Sequence, residues 1–264
     1  MRNITINHDL QRNQEMERFR VQIAVILLLA STACSKNESY QPKIYGGFYT
    51  HSWRNVAAVL SQGELICTAT AITDRLLVTA AHCLIDSTNI TVVLGDYIQS
   101  TQTYEVERYG VSPKYKSSKT EWNDVGYIVT VHPMTLHEFE FPELSSHEKD
   151  QEFLNIGQMF TIVGFGQTES GESGQKREAQ VNLTKVEQNE IELGGEGIDS
   201  CLGDSGGPAF FVTEDKTNFL VGVVSRGKKC GKGGRYGRIS QHACWIQNDS
   251  KIELNLPEEF CTKI

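Results

Sequence analysis

The chain has 264 residues, 39% hydrophobic and 22% charged, enough apolar side chain to bury a core and to exclude a disordered chain. Its 25 Lys and Arg stand against 33 Asp and Glu, and the net charge of -8 excludes a general electrostatic hold on nucleic acid or anionic lipid. Seven cysteines, with no CxxC pair and no Cys/His array at zinc spacing, are too few for a disulfide-dense miniprotein and argue against structural zinc.

Met1 to Glu15 is polar, Met16-Glu-Arg-Phe-Arg20 ends basic, and Val21 to Leu29 is almost continuously apolar, which is the profile of a secretory signal peptide. The apolar stretch ends near Ala33, short of the roughly 20 residues that a membrane-spanning helix needs. Met16, directly ahead of the basic segment, reads as the initiator in place of Met1. Ser31 and Ala33 precede Cys34 at the spacing a signal peptidase accepts. Leu29-Ala-Ser-Thr-Ala-Cys34 also resembles a bacterial lipoprotein signal, although Ser31 stands where that pattern prefers an aliphatic residue. Two outcomes stay open: a lipidated Cys34 at the new N-terminus, or ordinary cleavage leaving Cys34 free. Both place the protein outside the cytoplasm, secreted or in a cell envelope, periplasmic or lipid-anchored if bacterial. Residues 1–33 are thus extension and signal, and 34–43 a short propeptide.

Beyond Lys43 the chain breaks into short runs rich in Val, Ile, Thr and aromatics, separated by turn residues. The predicted strands cover 64–72, 75–79, 90–94, 104–111 and 125–131, then 160–165, 178–186, 208–212, 219–225 and 235–239. No long amphipathic helix interrupts them, and 167–175, rich in Gly, Ser and Glu, reads as an exposed loop. Many short strands with polar turns argue for an all-β sandwich or barrel.

The sharpest motif is Cys201-Leu-Gly-Asp-Ser-Gly-Gly-Pro208. Glycines around Ser205 allow a tight turn whose backbone N–H groups approach a substrate closely. A serine nucleophile is weak at neutral pH and needs a general base oriented by a third group. Val78-Thr-Ala-Ala-His-Cys83 supplies His82 after one predicted strand, and Trp122-Asn-Asp-Val-Gly-Tyr-Ile128 supplies Asp124 before another. Taken alone, the glycine motif could be a turn and His82 a core residue; three motifs in the order His, Asp, Ser argue otherwise. In these motifs the chain resembles the trypsin-like (chymotrypsin-fold) serine proteases over essentially all of 44–264.

That resemblance implies two six-stranded antiparallel β-barrels, about 44–150 and 151–264, with a short C-terminal helix around Cys244-Trp-Ile-Gln247. It implies that Ser205 attacks the scissile carbonyl, that His82 carries the proton, and that Asp124 holds the imidazole. The N–H groups of Gly203 and Ser205 would form the oxyanion hole. Lys43-Ile-Tyr-Gly-Gly47 resembles the family's activation site with Tyr45 in place of valine. Cleavage after Lys43 would free the Ile44 ammonium to pair with Asp204; the alternative is a linker that never needs cutting. Asp199, six residues before Ser205, would form the floor of a pocket for Arg or Lys. Ser225, Gly227 and Gly234 would wall it, with Ser225 and Gly227 also pairing with an extended substrate. Arg226 stands where relatives usually carry tryptophan. It is expected to point to solvent, the alternatives being weakened apolar substrate contacts or an inward fold that neutralises Asp199.

The family pattern also pairs Cys67 with Cys83 and Cys201 with Cys230, which leaves Cys244 with Cys261 by elimination. No metal or cofactor is implied, and the remaining histidines show no ligand spacing. The implied partners are protein or peptide substrates with Arg or Lys before the scissile bond and protein protease inhibitors. Nucleic acid is not among them, a membrane enters only through lipid on Cys34, and the family default is a monomer. Two other functions are weighed: a non-catalytic binding domain on the same fold, and a narrow-specificity processing protease with Arg226 and the 167–175 loop as exosites.

Overall fold

Strands dominate because β-branched and aromatic runs of four to ten residues suit a pleated surface and are closed by Gly, Asn, Asp and Ser before any helix could propagate. The computed structural model describes residues 44–116, 122–256 and 260–261, so the expected signal peptide and propeptide, with Cys34 and Lys43, lie outside the described residues. A two-residue strand β1 (Phe48–Tyr49) leads to β2 (Val56–Ser61), β3 (Glu64–Ala71), β4 (Leu76–Thr79), β5 (Ile90–Leu94), β6 (Gln102–Val111) and β7 (Gly126–Thr130). β2 to β7 close into an antiparallel barrel in the order β2-β3-β4-β7-β6-β5.

A short strand β8 (Glu143–Leu144) and a helix α1 (His147–Phe153) follow. Ser146 caps the helix, its hydroxyl accepting from the Lys149 N–H at 3.1 Å. The second barrel consists of β9 (Met159–Gly164), β10 (Arg177–Val186), β11 (Glu190–Leu193), β12 (Pro208–Val212), β13 (Asn218–Gly227) and β14 (Gly234–Arg238). Its antiparallel ring runs β9-β10-β11-β14-β13-β12 and back to β9, with β1 added on β10 and β8 running parallel to β13. The expected C-terminal helix is α2 (Ala243–Ser250), whose Trp245 ring lies 5.6 Å from that of Tyr127.

Besides the two-residue strands β1 and β8, three elements differ from the sequence expectation. β2 reads VAAVLS with five of six residues buried, an apolar run without alternation. β11 is only four residues long, and α1 has no apolar stripe in its sequence HEKDQEF. Each lacks the periodicity that announces an element.

Each barrel has its own apolar filling. Ala57, Val59, Leu77, Val92, Leu94 and Ile128 belong to the first, and Phe160, Ile162, Val181, Ile191, Val221 and Tyr236 to the second. A third buried cluster draws on both, with Val56, Val78 and Tyr127 from one barrel and Val163, Phe210 and Val223 from the other. The loops that meet over this shared layer carry the polar residues of the candidate site. Disulfides join Cys67 to Cys83, Cys201 to Cys230 and Cys244 to Cys261, with Cα separations of 6.1, 4.9 and 5.5 Å.

Candidate active site

His82 sits in a single 3-10 turn, Ala81–Cys83, directly after β4, and Asp124 lies just before β7. Because β4 and β7 pair, these two loops emerge side by side. Asp124 has no solvent exposure, yet its carboxylate is well served. Oδ1 accepts from the His82 backbone N–H at 2.9 Å; Oδ2 takes His82 Nδ1 at 2.7 Å and the Ser225 hydroxyl at 2.6 Å. Ser225 reaches Asp124 from a register shift between Val224 and Arg226 in the β13–β14 ladder, an irregularity of the kind that re-aims a side chain.

Ser205 lies on the turn that precedes β12. Gly206 has φ +81°, and a Cβ there would fall 2.1 Å from Thr79 Oγ1 and 2.4 Å from the Thr68 carbonyl, so only glycine fits. That close approach sets the Ser205 turn against the end of β4, beside His82. The Ser205 carbonyl accepts from Thr68 N–H at 2.8 Å. Cys83 Sγ lies 3.8 Å from that carbonyl and 3.7 Å from His82 Nε2. The N–H groups of Asp204, Gly206 and Gly207 are engaged with backbone carbonyls, whereas those of Gly203 and Ser205 make no hydrogen bond among the described residues. The Ser205 hydroxyl likewise makes none among the described residues; such contacts often close only around a substrate.

Two further aspartates are buried in the second barrel. Asp204 receives Gly166 N–H at 2.8 Å and Cys201 N–H at 2.8 Å, and burial pushes its carboxyl up to about 7. Gly164 and Gly166 leave it the space, since a Cβ on either would strike its carboxylate. Asp199 accepts from Ser200 N–H at 2.7 Å through Oδ1, while its buried Oδ2 has no partner among the described residues; burial raises this carboxyl to about 6. A cavity of about 460 Å³ beside them is lined by Ser200, Cys201, Leu202, Ser205, Val224 to Lys229 and Cys230. Gly227 lines this cavity. Gly234 is buried against Asp199 instead, and a Cβ there would lie 2.9 Å from Ser200 Oγ and 3.1 Å from Asp199 Oδ1.

Comparison with known proteins bears directly on this arrangement. The profile of the family described as Trypsin matches residues 47–246. This chain belongs to the trypsin family. Coagulation factor IX of Oryctolagus cuniculus is 33% identical over 208 residues, 69% of this chain and 74% of that protein. Vitamin K-dependent protein C of the same animal is 28% identical over 228 residues, 75% of this chain and 49% of that protein. Phenoloxidase-activating factor 3 of Holotrichia diomphalia is 28% identical over 227 residues, 70% of this chain and 64% of that protein.

Within the trypsin fold, two departures from the family pattern have visible consequences. The Tyr45 ring lies over Gly231, where a Cβ would come within 2.6 Å of it, and its carbonyl accepts from Asp199 N–H at 2.8 Å. Ile44 beside it is 1% exposed and belongs to the second barrel's core, and Glu169 of the 167–175 loop accepts from Gly46 N–H. Arg226 does not point to solvent as expected, nor does it turn onto Asp199. Its guanidinium binds both oxygens of Glu190, at 2.6 and 2.8 Å, and lies 4.6 Å from the centre of the Trp122 ring. The physical reason is Glu190, a carboxylate only 4% exposed, whose two oxygens Arg226 engages together while Arg235 reaches only one of them, at 3.2 Å. Glu190, Trp122 and Glu169 are absent from the residues singled out by sequence. Only Trp122, two positions before Asp124, stands within a quoted motif.

Cys67, His82 and Cys83 bring metal-type ligand atoms within 4.8 Å of one another. Both sulfurs are committed to a disulfide and are not available as thiolates.

Proposed function

We propose that this protein is a secreted serine endopeptidase, made as a zymogen, that cleaves after Arg or Lys through Ser205, His82 and Asp124. The observation that carries the reading is the Asp124 carboxylate, buried and holding His82 by both its backbone N–H and Nδ1, beside a serine turn with two unengaged N–H groups. In the proposed reaction Ser205 Oγ bonds to the scissile carbonyl carbon as its proton passes to His82 Nε2. The oxyanion so formed is met by the Gly203 and Ser205 N–H groups, worth about 2.7–4 kcal/mol for one such donor. Collapse breaks the C–N bond, and His82 returns the proton to the leaving amine. Water, deprotonated by His82, then cleaves the acyl-Ser205 ester. Asp124 holds the tautomer that leaves Nε2 free as an acceptor and stabilises the imidazolium.

Asp199 supports the choice of Arg or Lys. Among the described residues its Oδ2 is a buried acceptor without a donor, and a charged side chain entering the neighbouring cavity would supply one. Activation is proposed at Lys43. The new Ile44 ammonium would reach Asp204, a fully buried carboxylate with two backbone donors and no ion pair among the described residues.

The test uses protein cleaved after Lys43, with Ser205→Ala as control, against matched peptide amides ending in Arg, Lys, Phe or Ala. Turnover confined to Arg and Lys, and lost in the control, is the expected result. No turnover on any of the four, with the Ile44 terminus verified by sequencing, would instead favour a non-catalytic binding domain or a protease confined to one partner.

A further inference from the structure

Arg226 touches more than Glu190. Its Nη1 lies 3.3 Å from Ser225 Oγ, and Ser225 Oγ lies 2.6 Å from Asp124 Oδ2. A guanidinium can only donate, whereas a serine hydroxyl has a single proton and can also accept. With Arg226 donating to its oxygen, the Ser225 proton is directed to Asp124. The Trp122 ring, 4.6 Å from the guanidinium, belongs to the loop that carries Asp124, so Arg226 braces that loop as well as the hydroxyl. Glu190, from β11, fixes the guanidinium with two parallel hydrogen bonds, the geometry that gives Arg–carboxylate pairs directional precision.

We infer that Arg226, held and neutralised by Glu190, is a positioning residue. It orients the Ser225 hydroxyl and thereby the Asp124 carboxylate against His82. The inference rests on the catalytic reading of His82, Asp124 and Ser205. Neutralisation matters because an uncompensated cation this close to Asp124 would compete with the imidazolium for the same carboxylate. Arg235 bonds to Glu190 and Glu187 and lies near Glu192, completing a compact cluster of alternating charge behind the site. The other titratable groups sensing Asp124 are Tyr115 and the buried His242, with Lys114 beside His242.

The charge argument gives two variants opposite signatures. In Arg226→Gln the positive charge is lost and the hydroxyl is freed, so the imidazolium is favoured and the acid limb of the kcat profile moves to higher pH. In Glu190→Gln the guanidinium is uncompensated, and the limb moves to lower pH. Each displacement is expected to be about 0.5 in pH. Removing both charges in the double variant returns the limb to its original place. kcat on an Arg amide falls about fivefold to tenfold in Arg226→Gln, with KM nearly unchanged. Arg226→Lys keeps the charge and a donor but not the two-pronged grip, so its limb stays near that of the unaltered protein and its kcat is intermediate.

The measurement uses the protein cleaved after Lys43, with labelling of Ser205 by a fluorophosphonate read in parallel and far-UV circular dichroism to check folding. Coincident acid limbs in all variants, or a change in KM alone, would sink the positioning role and leave Arg226 as a wall of the substrate cavity. Should Arg226→Gln fail to fold, the Glu190→Gln and Arg226→Lys limbs make the same decision. If the unaltered protein is neither labelled nor active, the catalytic reading falls and this inference falls with it. If it is labelled while the limbs stay fixed, only the inference fails.

Discussion

The two barrels treat their buried aspartates in opposite ways. Asp124, beside the first barrel, is shut away from solvent with hydrogen bonds from His82 N–H, His82 Nδ1 and Ser225. Asp199 and Asp204, in the second, are equally buried, yet among the described residues one carboxylate oxygen of Asp199 has no partner and Asp204 is served by two backbone N–H groups. Burial drives both of these carboxyls upward, to about 6 and about 7. The difference separates a complete internal network from carboxylates less fully served. In the proposed function each of the latter gains a cation, the substrate's side chain for Asp199 and the Ile44 ammonium for Asp204.

Substitutions at the three positions put that contrast at risk, and the largest effect is expected at Asp124. Asp124→Asn keeps the shape but supports the wrong imidazole tautomer, and kcat is expected to fall by about 10⁴. A fall of less than tenfold, measured on an Arg amide, would place the base elsewhere. Asp199→Ser is expected to cost about 3–5 kcal/mol toward Arg and Lys amides, roughly 10² to 5 × 10³ in kcat/KM, because a buried cation would lose its only counter-charge. Its labelling by a fluorophosphonate is expected to persist. Equal losses in turnover and labelling would mean that Asp199 supports the fold and not the choice of substrate.

The pH dependence of stability sharpens the comparison further. Asp199 and Asp204 have folded-state values above the ordinary 3.8, so between about pH 4 and 7 the folded chain binds more protons than the unfolded one. Stability from these groups is therefore present at low pH and declines as pH rises through that window. Uncut Ser205→Ala protein is expected to show a falling Tm from pH 5 to 7.5, and Asp204→Asn is expected to flatten the fall. Cleavage after Lys43 would reduce it too, by giving Asp204 a cation. An unaltered slope in Asp204→Asn would show that this carboxylate already has a counter-charge in the uncut chain. The smallest change is expected from Tyr45→Val, which strips the ring from Gly231 and is expected to cost about 1–2 kcal/mol, read as a lower Tm.

The legible parts of this molecule are those in which neighbouring residues carry the signal. The Ser205 motif is recognisable because its glycines stand beside it, and Gly206 bears this out with a backbone no other residue could adopt in so small a space. Alternating strands such as β10 could be read, whereas β2 and β11 could not, for want of alternation or length. Arg226 marks the limit. Its partner Glu190 lies 36 residues away, and a glutamate in a short strand looks like part of a solvated face until β14 pairs with both β11 and β13 and brings it to the guanidinium. The register shift that turns Ser225 onto Asp124 has no signature in composition either.

The disulfide pattern bears on what would become of residues 1–43 after the proposed cut at Lys43. Six of the seven cysteines are joined in three local bridges, spanning 16, 29 and 17 residues, and every bridge lies on one side of Lys43. Cys34 is then the odd member, with no thiol left in its own chain. A single scission at Lys43 would divide one molecule into two, with no covalent strand between them. If Cys34 carries the lipid, that cut would also be an act of release: the segment holding the membrane would stay behind, and the barrels would diffuse away at the moment they became competent.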